Sequence, residues 1–179
     1  QRGTGEIPGV IYEEMTYEGY GPAGVALIVE TTTDNKNRTA SDIRKIFSKH
    51  SGSMGETGCV GWMFSRKGFI SIDKSASDED TVMTLALENG ADDFVAEEDN
   101  YEIYTKVEDF ENVKNALLAK NIQIAESEIS MIPQTYVKLQ GDDAEHMLKL
   151  MDELEEYDDV KNIFANFDIS KEDMEKFGA

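Results

Sequence analysis

A single cysteine in 179 residues excludes an internal disulfide. The two histidines, His50 and His146, stand far apart, and without Cys-x-x-Cys or His-x-x-His spacing there is no basis for a zinc site. No apolar run approaches the roughly 18 residues that a membrane span requires. Neither a Met nor a basic-then-apolar leader opens the chain, and Gln1-Arg2-Gly3-Thr4-Gly5 reads as the frayed end of something that began earlier. A reducing cytoplasm is therefore the expected location, with no membrane partner, no metal and no cofactor. Arginine is scarce as well: all four lie at or before Arg66, although arginine is the usual residue for bidentate phosphate recognition.

Acidic residues, by contrast, are abundant. Seventeen Lys+Arg against 37 Asp+Glu leave a formal net charge of −20, which excludes a uniformly basic protein that coats nucleic acid. Residues 1–70 hold eight basic and eight acidic groups, so residues 71–179 carry the entire excess. Two segments of such different charge are expected to face different partners. With 40% apolar residues, the chain can bury a real core as one domain or two small ones.

Tyr12–Glu18 and Val25–Thr33 read as two strands joined by Gly19-Tyr20-Gly21-Pro22-Ala23-Gly24. A helix over Thr39–His50 places Ile43, Ile46 and Phe47 on one side, and Cys59–Ser65 reads as a strand with Val60, Trp62 and Phe64 on one face. The pattern then restarts: strand Phe69–Ile72, helix Asp78–Glu88, a hairpin of Phe94–Ala96 and Tyr101–Val107, helix Phe110–Ala119, and an extended Ile122–Ile132. That is the β-α-β-β-α-β order of a ferredoxin-like domain, which Pro133 ends. Tyr136–Leu139, a helix over Asp142–Leu154 and Val160–Phe167 give one more β-α-β. One helix cannot cover a two-stranded sheet, so the opening and closing β-α-β pieces should combine. The expected fold is α+β: two ferredoxin-like (βαββαβ-type) domains, one inserted in the other. Residues 10–66 plus 134–179 form the discontinuous domain, residues 67–133 the acidic insert, and residues 1–9 a linker.

Gly19-x-Gly21-x-x-Gly24 matches the dinucleotide-binding fingerprint, but a strand follows it where that motif needs a helix N-terminus, and Pro22 removes an amide. A hairpin turn needing positive φ is the better reading. Tyr20, Gly21, Pro22 and Gly24 also form a candidate positioning loop, with Tyr20 and Pro22 expected at an exposed tip touching RNA or protein. At 100° per residue, Arg38, Lys45 and Lys49 cluster within about 40° opposite the apolar side of the first helix. This basic stripe is either an ordinary solvated face or, with Arg44, Arg66 and Lys67, a set of phosphate contacts. Cys59 reads as a small core residue, since no base is placed beside it. Glu97-Glu98-Asp99-Asn100 lacks the ligand spacing of a calcium loop and reads as a solvated hairpin tip. No acid–base or nucleophile constellation supports an enzyme.

Several of these motifs recur together. Tyr12-Glu13-Glu14, Tyr17-Glu18-Gly19-Tyr20-Gly21-Pro22, Thr33-Asp34-Asn35-Lys36-Asn37-Arg38-Thr39, Phe47-Ser48-Lys49-His50, Gly55-Glu56-Thr57-Gly58 and Phe64-Ser65-Arg66-Lys67-Gly68 resemble the YebC/PmpR family. The resemblance is dense over residues 1–70 and rests beyond them on element order. It implies a cytoplasmic, non-catalytic regulator of gene expression, described for the family as a DNA-binding transcriptional regulator. It also implies, as an alternative, a ribosome-associated translation factor acting at proline-rich stretches, with ribosomal RNA and ribosomal proteins as partners. A basic, helical N-terminal domain is implied ahead of Arg2, carrying much of the nucleic-acid contact. Ser51 stands where the family usually has the first of two glycines, Met54 where Leu is common, and Cys59 where Ser or Ala is common. A small-molecule-sensing module is a further alternative, resting on fold-level analogy alone.

Overall fold

The structure is a computed structural model that describes residues 11–177; the linker expected over residues 1–9 lies outside them. In chain order the elements are β1 (Glu13–Tyr20), β2 (Ala26–Thr33), α1 (Lys36–Lys49), β3 (Ser53–Met54), β4 (Phe64–Asp73), α2 (Glu79–Glu88), β5 (Ala91–Ala96), β6 (Asn100–Thr105), α3 (Phe110–Ala119), β7 (Glu126–Pro133), β8 (Val137–Leu139), α4 (Gly141–Glu156), β9 (Val160–Ala165), β10 (Phe167–Ile169) and α5 (Lys171–Phe177). The fold is α+β. It divides into two compact units, one formed by the chain up to Phe64 together with the chain from Pro133 onward, the other by Ser65–Ile132.

In the second unit, the sheet order β5-β6-β4-β7 with a helix after β4 and after β6 is the ferredoxin-like arrangement in its ordinary chain order. Alternation along β4 and β6 sends Ile70, Ile72, Tyr101 and Ile103 to one side, where Val82 and Ala86 of α2 and Val113 and Leu117 of α3 cover them. Asp78 caps α2 by accepting from the Thr81 amide at 3.1 Å.

The first unit reaches the same arrangement by another route. Its four-stranded sheet runs β3-β1-β2-β9, antiparallel at every pairing, and α1 and α4 bury Ile43, Phe47, Met147 and Leu154 against Val25, Leu27 and Val29 of the β2 side. In the ordinary order the strand between the two halves would come from just ahead of α4. Here β1, at the start of the chain, takes that inner place, and β8 pairs instead with β10 in a separate two-stranded parallel sheet. The strand expected at 136–139 therefore exists as Val137–Leu139 but leaves the main sheet. The expected strand over Cys59–Ser65 is also corrected. Residues 59–63 curl into turns and a 3-10 segment, and extended backbone begins only at Phe64.

The β1–β2 hairpin closes through Gly21–Val25, with the Gly21 N–H donating to the Val25 carbonyl at 2.7 Å. Positive φ falls on Ala23 and Gly24, at 59° and 82°. The Pro22 tip is not exposed as expected. Both Gly21 and Pro22 are buried, since the hairpin end is tucked under α4, where a Cβ at Gly21 would lie 3.1 Å from Met147 Sδ and 3.4 Å from Leu150 Cδ2.

Candidate nucleic-acid interface

The candidate cations separate by what they touch. Arg38 enters α1 at its first turn, where Asn35 accepts from its amide and caps the helix at 3.1 Å. Its guanidinium bonds Asp159 at 3.0 Å and Asp34 at 3.1 Å, and the bond to Asp159 is the leading cause of its raised pKa. The Thr39 hydroxyl donates to the same Asp159 oxygen at 2.7 Å and lies 2.7 Å from Thr33 Oγ1. Burial pushes the Asp159 carboxyl up, but the bonds from Thr39 and Arg38 hold it below the usual range. The Thr33–Thr39 motif is thus a junction that ties the β2–α1 corner to the turn before β9.

Lys49 pairs with Glu153 of α4 at 3.2 Å, and His50 Nε2 lies 2.7 Å from the same oxygen. Lys67, in the second unit, approaches Asp92 at 4.0 Å. Arg44, Lys45 and Arg66 are exposed and make no ion pair among the described residues. Two members of the basic stripe therefore already have carboxylate partners, and the adjacent pair Arg44 and Lys45 is left open on α1. Arg66 and Lys67 stand on β4, in the other unit.

One residue that the periodicity did not single out shapes the other end of the first unit. Glu18, 7% exposed on β1, accepts the amides of Gly58 (2.8 Å), Val60 (3.0 Å) and Gly61 (2.6 Å). Burial raises its pKa and the three amides more than offset this, so the carboxyl is held below its usual range. Three amides within four residues cannot converge on one carboxylate from an extended strand, whose N–H groups alternate in direction, and this is why the segment curls. The result turns Trp62 outward. It is 67% exposed, whereas Val60 and Phe64, expected on the same face of a strand, are buried. Its indole N–H donates to the Cys59 carbonyl at 3.1 Å, the same oxygen that the Tyr20 hydroxyl reaches at 3.5 Å. Cys59 is half-buried in this turn, and burial pushes its thiol up, opposite to the direction a nucleophile needs. A partial signal did exist in the sequence: Gly55, Gly58 and Gly61 make a glycine-rich segment able to offer amides.

Comparison with known proteins agrees with the fold. A family model described as TACO1/YebC second and third domain matches residues 12–167. A protein of Endomicrobium trichonymphae named "Probable transcriptional regulatory protein" is 65% identical over 181 residues, covering 100% of this chain and 72% of its own length. A protein of the same name from Pelotomaculum thermopropionicum is 58% identical over 171 residues, covering 94% and 70%. The crystal structure of a conserved hypothetical protein from Aquifex aeolicus superposes with a TM-score of 0.78 at 40% identity, over 93% of this chain and 69% of that one. The first two relatives carry the name of a probable regulatory protein. The chain belongs to the TACO1/YebC family and matches its second and third domains.

Proposed function

We propose that this protein regulates gene expression in the cytoplasm by binding nucleic acid, with Arg44 and Lys45 of α1 as phosphate contacts in the first unit and Arg66 as a contact in the second. The observation that carries this reading is the pair of adjacent, exposed cations without carboxylate partners, in a chain whose acids outnumber its bases by 20. Other described cations also lack an ion pair, Lys36, Lys74 and Lys106 among them, but each of these three has no basic neighbour beside it in sequence. Arg38 and Lys49 serve packing first, through Asp159 and Glu153.

Replacing Arg44 and Lys45 by Gln together tests the reading. Each lost phosphate contact lowers the slope of log K against log salt by about 0.9 on duplex DNA and about 0.7 on single strands. The double variant should therefore bind with a slope lower by about 1.8 or about 1.4, and should unfold at an unchanged urea concentration. An unchanged slope leaves α1 with an ordinary solvated face. A second reading, action on the ribosome during synthesis of proline-rich stretches, uses the same cations and is favoured by the exposed Trp62 and Tyr20, since aromatic side chains stack on unpaired RNA bases. Competition between duplex DNA and ribosomes for the labelled protein separates the two.

A further inference from the structure

We propose that Trp62, with Tyr20 beside it, is a stacking platform for unpaired bases, so that the first unit takes single-stranded nucleic acid. This inference rests on the nucleic-acid reading above and specifies the strand form.

The platform is built rather than incidental. Both rings are pinned to the Cys59 carbonyl, the indole by its N–H and the phenol by its hydroxyl. The turn beneath them is fixed from several sides: Glu18 holds three of its amides, the Gly55 N–H donates to the Glu18 carbonyl at 2.9 Å, and the Met63 N–H donates to that of Val60 at 2.9 Å. On the far side Gln134 donates its amide to the Met63 carbonyl at 2.9 Å and its side chain to the Trp62 carbonyl at 3.5 Å. A tryptophan left 67% exposed on so well anchored a turn is already ordered for a flat ligand, and a ligand that stacks on it loses little freedom in the protein.

Charge selects the ligand. The α1 row of Arg38, Asp42 and Lys49 bonds to Asp159, Tyr157 and Glu153. Arg44 lies about 120° around the helix from Arg38. It therefore faces away from α4, toward the flank where Phe47 and Met54 close on Gly19 at the β1–β3 edge. Tyr20 pairs with Ser53 at that edge and leads to the platform. In residues 51–64, Glu56 is the only acid, and the charge of Glu18 is already met by amides. Aromatic faces beside cations are the general device for single strands, whose bases expose π-faces that a duplex hides.

Trp62 is the chain's only tryptophan, so its fluorescence reports on the platform directly. The 179-residue chain at low ionic strength would be titrated with an oligouridylate and, separately, with a blunt DNA duplex. Saturable quenching by the single strand and little by the duplex is expected. Followed by anisotropy of a labelled strand, Trp62→Ala should weaken binding roughly 5- to 150-fold, Trp62→Phe much less, and Tyr20→Ala by an intermediate factor. The Arg44/Lys45 variant supplies the reference. If the strand binds, with a slope that depends on those cations, while Trp62→Ala binds equally well or Trp62 emission stays silent, the platform is overturned and the nucleic-acid reading stands. Equal quenching by the duplex also overturns the platform. If neither strand nor duplex binds, both readings fall.

Discussion

The two units bury the same kind of core under the same four-stranded sheet and helix pair, yet they are held together differently. The second is one continuous stretch, and its polar bonds are mostly local, such as Asp78 with Thr81 and Asn89 with the Leu85 carbonyl. The first is assembled from two stretches that chain continuity does not bring together. Polar side chains stitch them: the Ala26 amide donates to buried Asn166 Oδ1 at 2.8 Å, the Asn166 amide returns to the Ala26 carbonyl at 3.2 Å, and Tyr157 donates to Asp42 at 2.7 Å. With Arg38 and Thr39 on Asp159, and Lys49 and His50 on Glu153, these bonds all cross between the halves. Apolar burial drives both units but is non-directional. Where the chain does not set the register, hydrogen bonds to buried groups do.

The largest expected effect follows from that contrast. Residues 65–132 alone should fold cooperatively, whereas residues 1–64 alone should not, because β2 would lose β9 and α1 would lose α4. Adding residues 133–179 as a separate peptide should restore helix signal and Trp62 fluorescence. Circular dichroism with urea unfolding of the three fragments checks this. Cooperative folding of 1–64 by itself would erase the distinction between the units.

The same contrast explains what could be read in the sequence. In the second unit the periodicity located helix Phe110–Ala119 to the residue and α2 to within one, since the whole unit comes from one continuous stretch in the β-α-β-β-α-β order. In the first unit the helices were legible from Ile43, Ile46 and Phe47 and from the stripe Ala144, Met147, Leu148 and Met151, all buried as their spacing implied except Met151, which is half-buried. The strand exchange was not, because nothing local in β1 or β8 says which of them joins β2. Val60, Trp62 and Phe64 alternate as a strand would, but Glu18, some 40 residues earlier, overrides that pattern with three hydrogen bonds. The basic stripe was legible as geometry. Its meaning was not, since Asp159 and Glu153, which pair with Arg38 and Lys49, lie more than 100 residues away.

A second, smaller effect concerns acid. Of the carboxyls held below their usual range, Glu18, Glu153 and Asp159 belong to the first unit and Asp78 to the second. A group whose folded pKa is depressed adds stability that is fully present above its unfolded value, near about 4 for these acids, and is lost as pH falls through the folded value. The first unit should therefore weaken more than the second below about pH 4. Glu18→Gln keeps an acceptor for Val60 and Gly61 but turns an NH2 toward the Gly58 amide, and the loss of that bond to a charged acceptor costs about 1.5–3 kcal/mol at neutral pH. The variant should also lose part of the acid sensitivity. Urea midpoints read by Trp62 between neutral pH and acid measure both, and an unaltered pH profile would remove Glu18 as a carrier of the difference.

The smallest effect lies where three helices end alike. Past α1, α2 and α3 the chain turns through a left-handed residue: Ser51 (φ 65°), Gly90 (φ 111°) and Asn121 (φ 59°). After α1 and α3 the next amide returns to the helix, Gly52 to the Phe47 carbonyl at 2.8 Å and Ile122 to the Leu117 carbonyl at 3.1 Å, which is the Schellman closure. The second unit fills its turns with the two residue types that accept this conformation most readily, and the first uses serine, whose Cβ crowds the following carbonyl oxygen at a cost of roughly 1–2 kcal/mol. Glycine would remove that crowding, while its freer unfolded chain takes back about 0.4–1 kcal/mol. Ser51→Gly should therefore stabilise the first unit by a net of about 0.5–1 kcal/mol, and Asn121→Gly should leave the second within a few tenths. The readout is a rise in the urea midpoint with an unchanged slope, seen for the transition that Trp62 reports. A Ser51→Gly protein that is no more stable would mean that the serine hydroxyl compensates for its backbone, and the two units would then differ in how their helices stop as well as in how their halves are joined.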